Sequence, residues 1–306
     1  MDKITIHEVG LRDGLQAEKV TVPSEEKIRW IESLFTSGVE IIQLGSFVHP
    51  EKVPQMADTD ALFTHFCANK PDHVTLSGLV LNERGLERGL ACGVEMFCMG
   101  VSASETHSQK NTGMTTSEAQ RRIVQMTKQA LEAGKAVQCS VQSAFGCGYE
   151  GPIAKEKVLK IVAFYLEAGV RNISLADTAG HAHPSQVEDL YGEIRQMDAG
   201  VNLACHFHNT YGLGLANCYA AMKSGVTYFE SAFGGLGGCP FTKVPAGNVS
   251  SEDLVHSLQR MGLCREIKLE VLLDVAHQVS AFFDRRLPGF ILQSGSIVDF
   301  QGRELS

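Results

Sequence analysis

The sequence predicts a (β/α)8 TIM barrel with additional C-terminal helices. Short apolar segments alternate with amphipathic segments along most of the chain, an order that indicates strand–helix units and a parallel sheet. Eight such units within about 240 residues favour a closed barrel over an open doubly wound sheet. No GxGxxG motif follows the first strand, which further weakens a dinucleotide-binding fold. We expect residues 1–306 to form one domain.

The periodicity of apolar residues places each element in turn. The predicted strands are residues 4–9, 39–44, 74–80, 96–101, 136–141, 172–176, 202–207 and 228–231. The predicted helices are residues 24–37, 82–91, 116–133, 154–168, 184–197, 212–224, 252–261 and 269–283. Ser24, behind Pro23, is the expected cap of the first helix, and Ser117 with Gln120 resembles a capping box. A Gly-rich tail follows the last two helices.

Composition and charge narrow the classes of function. Hydrophobic residues make up 44% and charged residues 20% of the chain, the balance of an ordinary globular protein. The formal net charge of −8 argues against bulk attraction to nucleic acid or to an anionic membrane. No apolar run approaches the roughly 20 residues of a membrane span. The nine cysteines include no CxxC pair, which indicates reduced thiols, and with no targeting segment visible we expect a cytoplasmic protein.

Polar clusters follow the strands at the end where a barrel carries its chemistry. Arg12 and Asp13 come after the first strand, and Asp177 ends the sixth. An HxH motif, His206 and His208, ends the seventh strand, and a Gly-rich run at 234–238 follows the eighth. We therefore expect these groups to meet at one mouth of the barrel.

The HxH motif predicts a metal site. Alternate residues of a strand point the same way, so His206 and His208 can reach one ion, with Asp13 close by across the barrel mouth. Ligation by oxygen and nitrogen without thiolate suits Mg²⁺ or Mn²⁺, and Zn²⁺ is a less natural alternative. On spacing alone, the two histidines could equally be hydrogen-bonded residues at the rim.

Several motifs, in order, resemble those of the 3-hydroxy-3-methylglutaryl-CoA (HMG-CoA) lyases. Residues 9–16 (VGLRDGLQ) resemble the family's opening motif, and residues 206–212 (HFHNTYG) resemble its HxHDTYG motif. Residues 234–240 (GGLGGCP) look like its signature loop, which continues through Gly247 and Asn248. The segments at 46–48, 53–56 and 146–151 are also similar, so the resemblance covers about residues 3–275.

The resemblance implies a metal-dependent retro-Claisen cleavage of an acyl-CoA, with Asp13, His206, His208 and Asn248 as metal ligands. By the residues alone, Asn248 could equally be a turn residue after Gly247. In such a reaction the metal binds the substrate's hydroxyl and carboxylate, and a base removes the hydroxyl proton. Products of HMG-CoA are acetoacetate and the enolate of acetyl-CoA.

The catalytic roles follow from that chemistry. We expect Arg12 to face the thioester oxygen, although a structural salt bridge is its alternative. His206 is the expected general base, in competition with its role as a ligand, and Asp177 is expected to orient a histidine or a water. Cys239 follows four glycines in five positions, a mobile backbone that could carry its thiol to the enolate, the alternative being a buried structural thiol.

Two of the predicted substrate contacts depart from the family, as do two further residues, Ser140 and Asn209. The predicted substrate-binding residues are Gln16, Gln43, Lys110, Asn111 and Gln138. Lys110 could instead be a solvated surface charge. Gln43 stands where the family usually has Glu, and Gln138 and Ser140 stand where it typically has Arg and Tyr. Asn209 replaces the Asp after the second histidine.

These departures leave alternatives open. HMG-CoA lyase is the favoured function, because the metal residues and Arg12 are retained. A paralogue acting on another 3-hydroxyacyl-CoA comes next, since a neutral amide cannot form the charged pair that Arg makes with a carboxylate. A condensing enzyme, an aldolase without CoA and a non-catalytic binding protein remain further alternatives. The family also suggests a homodimer.

Overall fold

A computed structural model describes residues 3–238 and 247–297, and its sheet is a closed barrel. Eight parallel strands pair in chain order, and β8 closes the barrel by pairing with β1. The strands are β1 (Thr5–Glu8), β2 (Ile41–Ser46), β3 (Thr75–Leu79), β4 (Met96–Ser102), β5 (Ala136–Gln142), β6 (Asn172–Asp177), β7 (Asn202–Phe207) and β8 (Tyr228–Ser231). The predicted TIM barrel is confirmed, with every strand where the apolar pattern places one.

Helices surround the barrel and continue past its last strand. The helices are α1 (Ser24–Ser37), α2 (Thr59–Phe66), α3 (Glu83–Ala91), α4 (Glu105–Thr112), α5 (Thr116–Glu132), α6 (Lys155–Glu167), α7 (Pro184–Met197), α8 (Gly214–Lys223), α9 (Ser251–Arg260), α10 (Leu269–Phe282) and α11 (Phe290–Ser294). The predicted helices α1 and α7 match at both ends. Those that the sequence did not predict are α2, α4 and α11, because they are short and α4 is polar on most of its surface.

Two predicted helix caps are wrong. The capping box of α5 is made by Thr115 and Glu118, two residues before the predicted pair, because each accepts a hydrogen bond from the other's backbone N–H. Ser24 does not cap α1: its hydroxyl donates to Asp58 Oδ2 at 2.8 Å, and the capping position belongs to Pro23.

Aromatic packing fixes the C-terminal helices against the barrel. Trp30 of α1 is buried, with its ring centroid 6.2 Å from that of Phe233, which follows β8, and 5.7 Å from that of Phe282 in α10. Both contacts are edge-to-face, the favoured geometry for neighbouring aromatic rings. The C-terminal helices therefore support the segment that follows β8, where the glycine-rich run begins.

The remaining expectations about the chain as a whole concern thiols and membranes. The eight cysteines within the described ranges are free, and six of them are buried. Among residues 3–238 and 247–297, no helix has the length and apolar character needed to cross a membrane. That residues 1–306 form one domain stays a prediction.

Candidate active site

The first strand ends in a tight turn that carries Arg12 and Asp13 to the barrel mouth. Residues Gly10–Gly14 form a π-helical turn, in which the Val9 carbonyl accepts the Asp13 N–H at 2.7 Å. Gly10 is required there, because a Cβ would lie 2.6 Å from a Phe233 ring carbon and 2.7 Å from a carboxylate oxygen of Glu8. The close approach of these groups thus explains the glycine that precedes the predicted catalytic pair.

The seventh strand presents its two histidines to Asp13. His206 and His208 are two residues apart at the end of β7, with Phe207 between them, so both face the barrel mouth. Their Nε2 atoms lie 3.2 Å apart, and Asp13 Oδ2 is 3.8 Å from each. Ligand atoms of the three residues all fall within 4.8 Å of one another, which is close enough for one ion to contact all three.

Asn248 reaches the same cluster from the segment after the glycine-rich loop. That segment pairs with the end of β7, since Asn209 N–H donates to the Gly247 carbonyl at 2.8 Å. The amide of Asn248 donates through Nδ2 to Asp13 Oδ2 at 2.8 Å and to the Leu236 carbonyl at 3.0 Å. Its Oδ1 is buried, with no hydrogen-bond partner among the described residues.

These donors fit a hard divalent cation. One carboxylate, two imidazoles and one amide oxygen form a mixed oxygen and nitrogen set that contains no thiolate. A buried amide oxygen without a hydrogen-bond donor is costly unless another electrophile satisfies it. The unpaired Oδ1 of Asn248, beside Asp13, is therefore the observation that favours a bound cation.

Burial and neighbouring charges determine the protonation states of the proposed metal ligands. Burial alone would raise the pKa of Asp13, but Arg12 and the two histidines hold that pKa below its ordinary value. Burial, together with the neighbouring His206, lowers the pKa of His208 to about 4. Asp13 is thus ionised and His208 neutral near pH 7, the states in which carboxylate and imidazole bind metals.

Arg12 connects the metal side of the mouth to the second strand. Its Nε donates to Gln43 Oε1 and its Nη1 to Asp13 Oδ1. The salt bridge that was the alternative interpretation of Arg12 is therefore present, and the guanidinium also lines the cavity. A guanidinium held by two partners is a fixed positive charge at the mouth.

A cavity of about 280 Å³ opens beside the cluster. Arg12, Asp13, His206 and His208 all line it. Of the predicted substrate-binding residues, it is lined by Gln16, Gln43, Asn111 and Gln138. Lys110 is exposed, and its Nζ lies 4.0 Å from the centre of the Tyr149 ring, which accounts for its position by a cation–π contact.

Asp177 lies behind the cavity wall rather than in it. Its Oδ1 accepts the backbone N–H groups of His181 at 2.8 Å and Ala182 at 3.2 Å. Burial raises its pKa to about 7. These contacts hold the loop between β6 and α7, and a role in orienting a histidine or a water stays a prediction.

The glycine-rich run after β8 is anchored by two buried carboxyl groups. Glu8 accepts the Phe233 N–H at 3.1 Å, and Glu252 accepts the Gly234 N–H at 3.0 Å. Gly238 lines the cavity. The next residue, Cys239, lies outside the described residues, so its predicted role in protonating the enolate stays a prediction.

Glu230 is one of the polar cavity residues that the sequence does not single out, and it contacts a predicted metal ligand. It lies in the middle of β8, lines the cavity and pairs with His206, its Oε2 lying 2.9 Å from Nδ1. The alternation in β8 was a usable signal: Phe229 is buried on one face, so Glu230 must face the barrel interior. A charged residue at such a position needs a partner.

The comparisons with known proteins agree with this site. A family model described as HMGL-like matches residues 3–279. The chain belongs to the HMGL-like family. A hydroxymethylglutaryl-CoA lyase of Bacillus subtilis is 38% identical over 95% of this chain and 97% of its own. The crystal structure of the B. subtilis HMG-CoA lyase superposes with a TM-score of 0.91, covering 96% of this chain and 98% of the other.

Two further relatives have different ligands or substrates in their names. The (R)-citramalyl-CoA lyase of Chloroflexus aurantiacus is 34% identical, covering 97% of this chain and 96% of its own. An HMG-CoA lyase of Acinetobacter baumannii, solved with coenzyme A and 3-methylmalate, is 34% identical with a TM-score of 0.91, covering 97% and 96%. The HMGL-like chain is thus a lyase with a TIM-barrel fold.

One departure of this HMGL-like chain from the family motif has a structural explanation. Asn209 Oδ1 accepts the Gly214 N–H at 3.0 Å, at the first residue of α8. Asp and Asn can both supply that oxygen, so the change keeps the contact. The departures at Gln43 and Gln138, in contrast, lie in the cavity itself.

Proposed function

We propose that the protein is a divalent-metal-dependent lyase that cleaves HMG-CoA to acetyl-CoA and acetoacetate. The observation that carries the proposal is the convergence of Asp13, His206 and His208 within 4.8 Å, beside Arg12 in the same cavity. HMG-CoA lyases at 34–38% identity over nearly the whole chain support this substrate over the alternatives. The alternatives are a different 3-hydroxyacyl-CoA, a condensing reaction or an aldol cleavage.

The proposed cofactor is Mg²⁺ or Mn²⁺, held by Asp13, His206, His208 and Asn248. The carboxylate and the amide oxygen are the donors that favour these two hard ions. When bound, such an ion supplies Lewis acidity, which lowers the pKa of a substrate hydroxyl and orients it. Removal of the ion is therefore expected to abolish cleavage.

The chain's own residues would divide the proton and charge transfers. With Nε2 on the ion and Nδ1 bonded to Glu230, His206 would have no free nitrogen, so the hydroxyl proton would pass to water rather than to His206, the base expected from sequence. The C–C electron pair then passes to the thioester as an enolate. Arg12 is fixed by Gln43 and Asp13, so its guanidinium can stabilise the developing charge on the thioester oxygen without reorganising. Cys239 is the proposed donor of the proton that completes acetyl-CoA, and Asp177 is proposed to orient a histidine or a water.

The substrate contacts are proposed from the cavity lining. Gln16, Gln43, Asn111 and Gln138 would contact the acyl-CoA. Lys110, whose ammonium group lies over the Tyr149 ring, is the weaker candidate for such a contact. A cytoplasmic protein that assembles as a homodimer, each subunit a single domain of residues 1–306, completes the proposal. Nucleic acid and membrane are not proposed partners.

Product identification tests the proposal. The purified protein with Mn²⁺ would be incubated with HMG-CoA, citramalyl-CoA and 3-hydroxybutyryl-CoA, and the products identified by mass spectrometry. We expect acetyl-CoA and acetoacetate from HMG-CoA, and no products after chelation of the metal. Cleavage of citramalyl-CoA without cleavage of HMG-CoA would replace the proposed substrate while leaving the lyase assignment intact.

A further inference from the structure

Glu230 is held by four elements of the barrel at once. Its own strand is β8, and its Oε2 lies 2.9 Å from His206 Nδ1 in β7. Its Oε1 accepts hydrogen bonds from Gln138 Nε2 in β5 at 2.6 Å and from Ser174 Oγ in β6 at 2.9 Å. The side chain is 7% exposed. A carboxylate this buried and this fully bonded has one fixed orientation.

The contact to His206 determines which ring nitrogen is free. A carboxylate acceptor beside Nδ1 keeps the proton on Nδ1, so the lone pair is on Nε2. Nε2 is the atom that faces Asp13 and His208. Within the described residues, His208 has no such support, because its Nδ1 is buried without a hydrogen-bond partner. The two histidines of the cluster are therefore not equivalent.

We propose that Glu230 is a positioning residue for the metal site: it fixes the orientation and the tautomer of His206 so that Nε2 is the ligating atom. The proposal rests on the proposed metal-dependent function. Gln138 and Ser174 both donate to the carboxylate. A series of hydrogen bonds, Gln138–Glu230–His206, therefore connects the cavity wall to the proposed metal ligand His206. Gln138 is thus part of the metal site as well as a cavity residue.

Direct metal binding is the first test. Mn²⁺ titrated into the metal-free protein and followed by electron paramagnetic resonance gives a dissociation constant without any substrate. For Glu230→Gln we expect that constant to rise by ~10–100-fold, the usual effect of losing the partner of a ligating histidine. Ser174→Ala is the matched control: it removes one donor to Oε1, leaves the contact to His206, and should change the constant by less than about fivefold.

A second measurement separates positioning from general damage. In ¹⁵N-histidine-labelled protein, the His206 ring nitrogens report the tautomer, and their assignment comes from comparison with His206→Gln. We expect a protonated Nδ1 in the unchanged protein and a mixture in Glu230→Gln. If Glu230→Gln does not fold, Glu230→Asp keeps the charge but withdraws it from Nδ1, and weakened Mn²⁺ binding is again expected.

The outcomes distinguish this inference from the proposed function. Mn²⁺ affinity within twofold of the unchanged protein in the folded Glu230 variants would overturn the positioning role, whatever the substrate proves to be. If the unchanged protein binds no Mn²⁺, the proposed metal-dependent function fails, and the positioning role that rests on it fails as well. If the affinities shift as expected and HMG-CoA is not cleaved, the proposed substrate fails and the role of Glu230 stands.

Discussion

Two groups of buried or half-buried polar residues lie near the mouth of the barrel, and their carboxylates differ in their partners. The first, here called the metal wall, consists of Asp13, His206, His208 and Glu230. The second, here called the loop anchor, consists of Glu8, Ser251 and Glu252. The metal wall pairs its carboxylates with imidazoles and a guanidinium, whereas the loop anchor pairs them with neutral donors.

The difference follows from the positions of Glu8 and Glu230 in two paired strands. Glu8 of β1 is paired with Ser231 of β8, one residue after Glu230, so strand alternation sends Glu230 inward and Glu8 outward. Burial would raise the pKa of both, but His206 lowers that of Glu230 to about 2. Glu8 has only N–H and hydroxyl donors, so burial raises its pKa to about 7. The charge of the partner, rather than burial, decides which carboxylate stays ionised.

The largest effect is expected when a ligand is removed from the metal wall. His208→Ala should lose bound metal and lower lyase activity by more than ~10²-fold while the barrel stays folded. Metal content, turnover and circular dichroism of the purified variant check the three parts of this expectation. Replacing exposed His65 by Ala is the control and should change none of them. Full activity at unchanged metal content would remove the metal-lyase assignment.

A strong loss of activity without loss of metal is expected when Cys239, in the loop that follows the loop anchor, is replaced. The loop that begins at the loop anchor continues from Gly238, which lines the cavity, to Cys239. Cys239→Ser should lower turnover by ~10²-fold, the contribution of a positioned proton donor, because a hydroxyl is a much weaker acid than a thiol. Mn²⁺ affinity should stay unchanged.

Steady-state kinetics beside the exposed-thiol control Cys67→Ser measure the Cys239 effect. Equal turnover in both variants would make Cys239 a structural thiol. Loss of metal in Cys239→Ser would mean that the loop contributes to metal binding, so the two groups would not act independently.

The metal wall was largely predictable from sequence, whereas its connections were not. The motifs around Asp13 and His206 predicted which residues meet, because strand ends of a closed barrel share one mouth. The alternation in β8 predicts that Glu230 faces the barrel interior, but its partners come from strands 24, 56 and 92 residues away, a proximity that no local pattern encodes. The capping box of α5 was placed two residues late because Ser117 and Gln120 satisfy the same spacing as Thr115 and Glu118.

The contact between Gln138 and Glu230 changes what an arginine at position 138 should do. Because Arg pairs with a carboxylate where a neutral amide cannot, the sequence alone predicts that Gln138→Arg improves recognition of a substrate carboxylate and raises HMG-CoA cleavage. In the folded barrel, Gln138 already donates to Glu230 at 2.6 Å, so an arginine there would pair with that carboxylate. The structure instead predicts that Mn²⁺ affinity falls several-fold, because His206 would compete with a charged donor for Glu230, and that KM for HMG-CoA stays within about threefold.

Gln138→Met, which removes the amide without adding charge, is the matched control and should weaken Mn²⁺ binding less. A lower KM with unchanged metal affinity in Gln138→Arg would support the original recognition role. That result would assign Gln138 to the cavity wall alone.

The smallest effect on activity, and the clearest on stability, is expected at the loop anchor. Glu8 accepts the Gly10 N–H at 2.7 Å and the Phe233 N–H at 3.1 Å through Oε1, and the Ser251 hydroxyl at 2.5 Å through Oε2. In Glu8→Gln the amide oxygen can keep the first two bonds while the amide N–H donates to Ser251. The variant therefore mimics the protonated carboxyl group.

The pH dependence of unfolding separates the two forms of Glu8. Because its pKa is about 7 in the folded chain and about 4.5 unfolded, the folded state binds the proton more tightly, and stability falls as pH rises through that window. Glu8→Gln lacks this loss, so its advantage in unfolding free energy should grow by ~2–3 kcal/mol between pH 5 and pH 8. Urea titrations at several pH values measure it, with Glu132→Gln on the exposed face of α5 as the charge-removal control. Glu230, whose pKa is lowered, contributes to the pH dependence of stability with the opposite sign and below pH 5, outside this window. A difference between Glu8→Gln and the unchanged protein that does not vary with pH would mean that Glu8 is ionised, like the carboxylates of the metal wall.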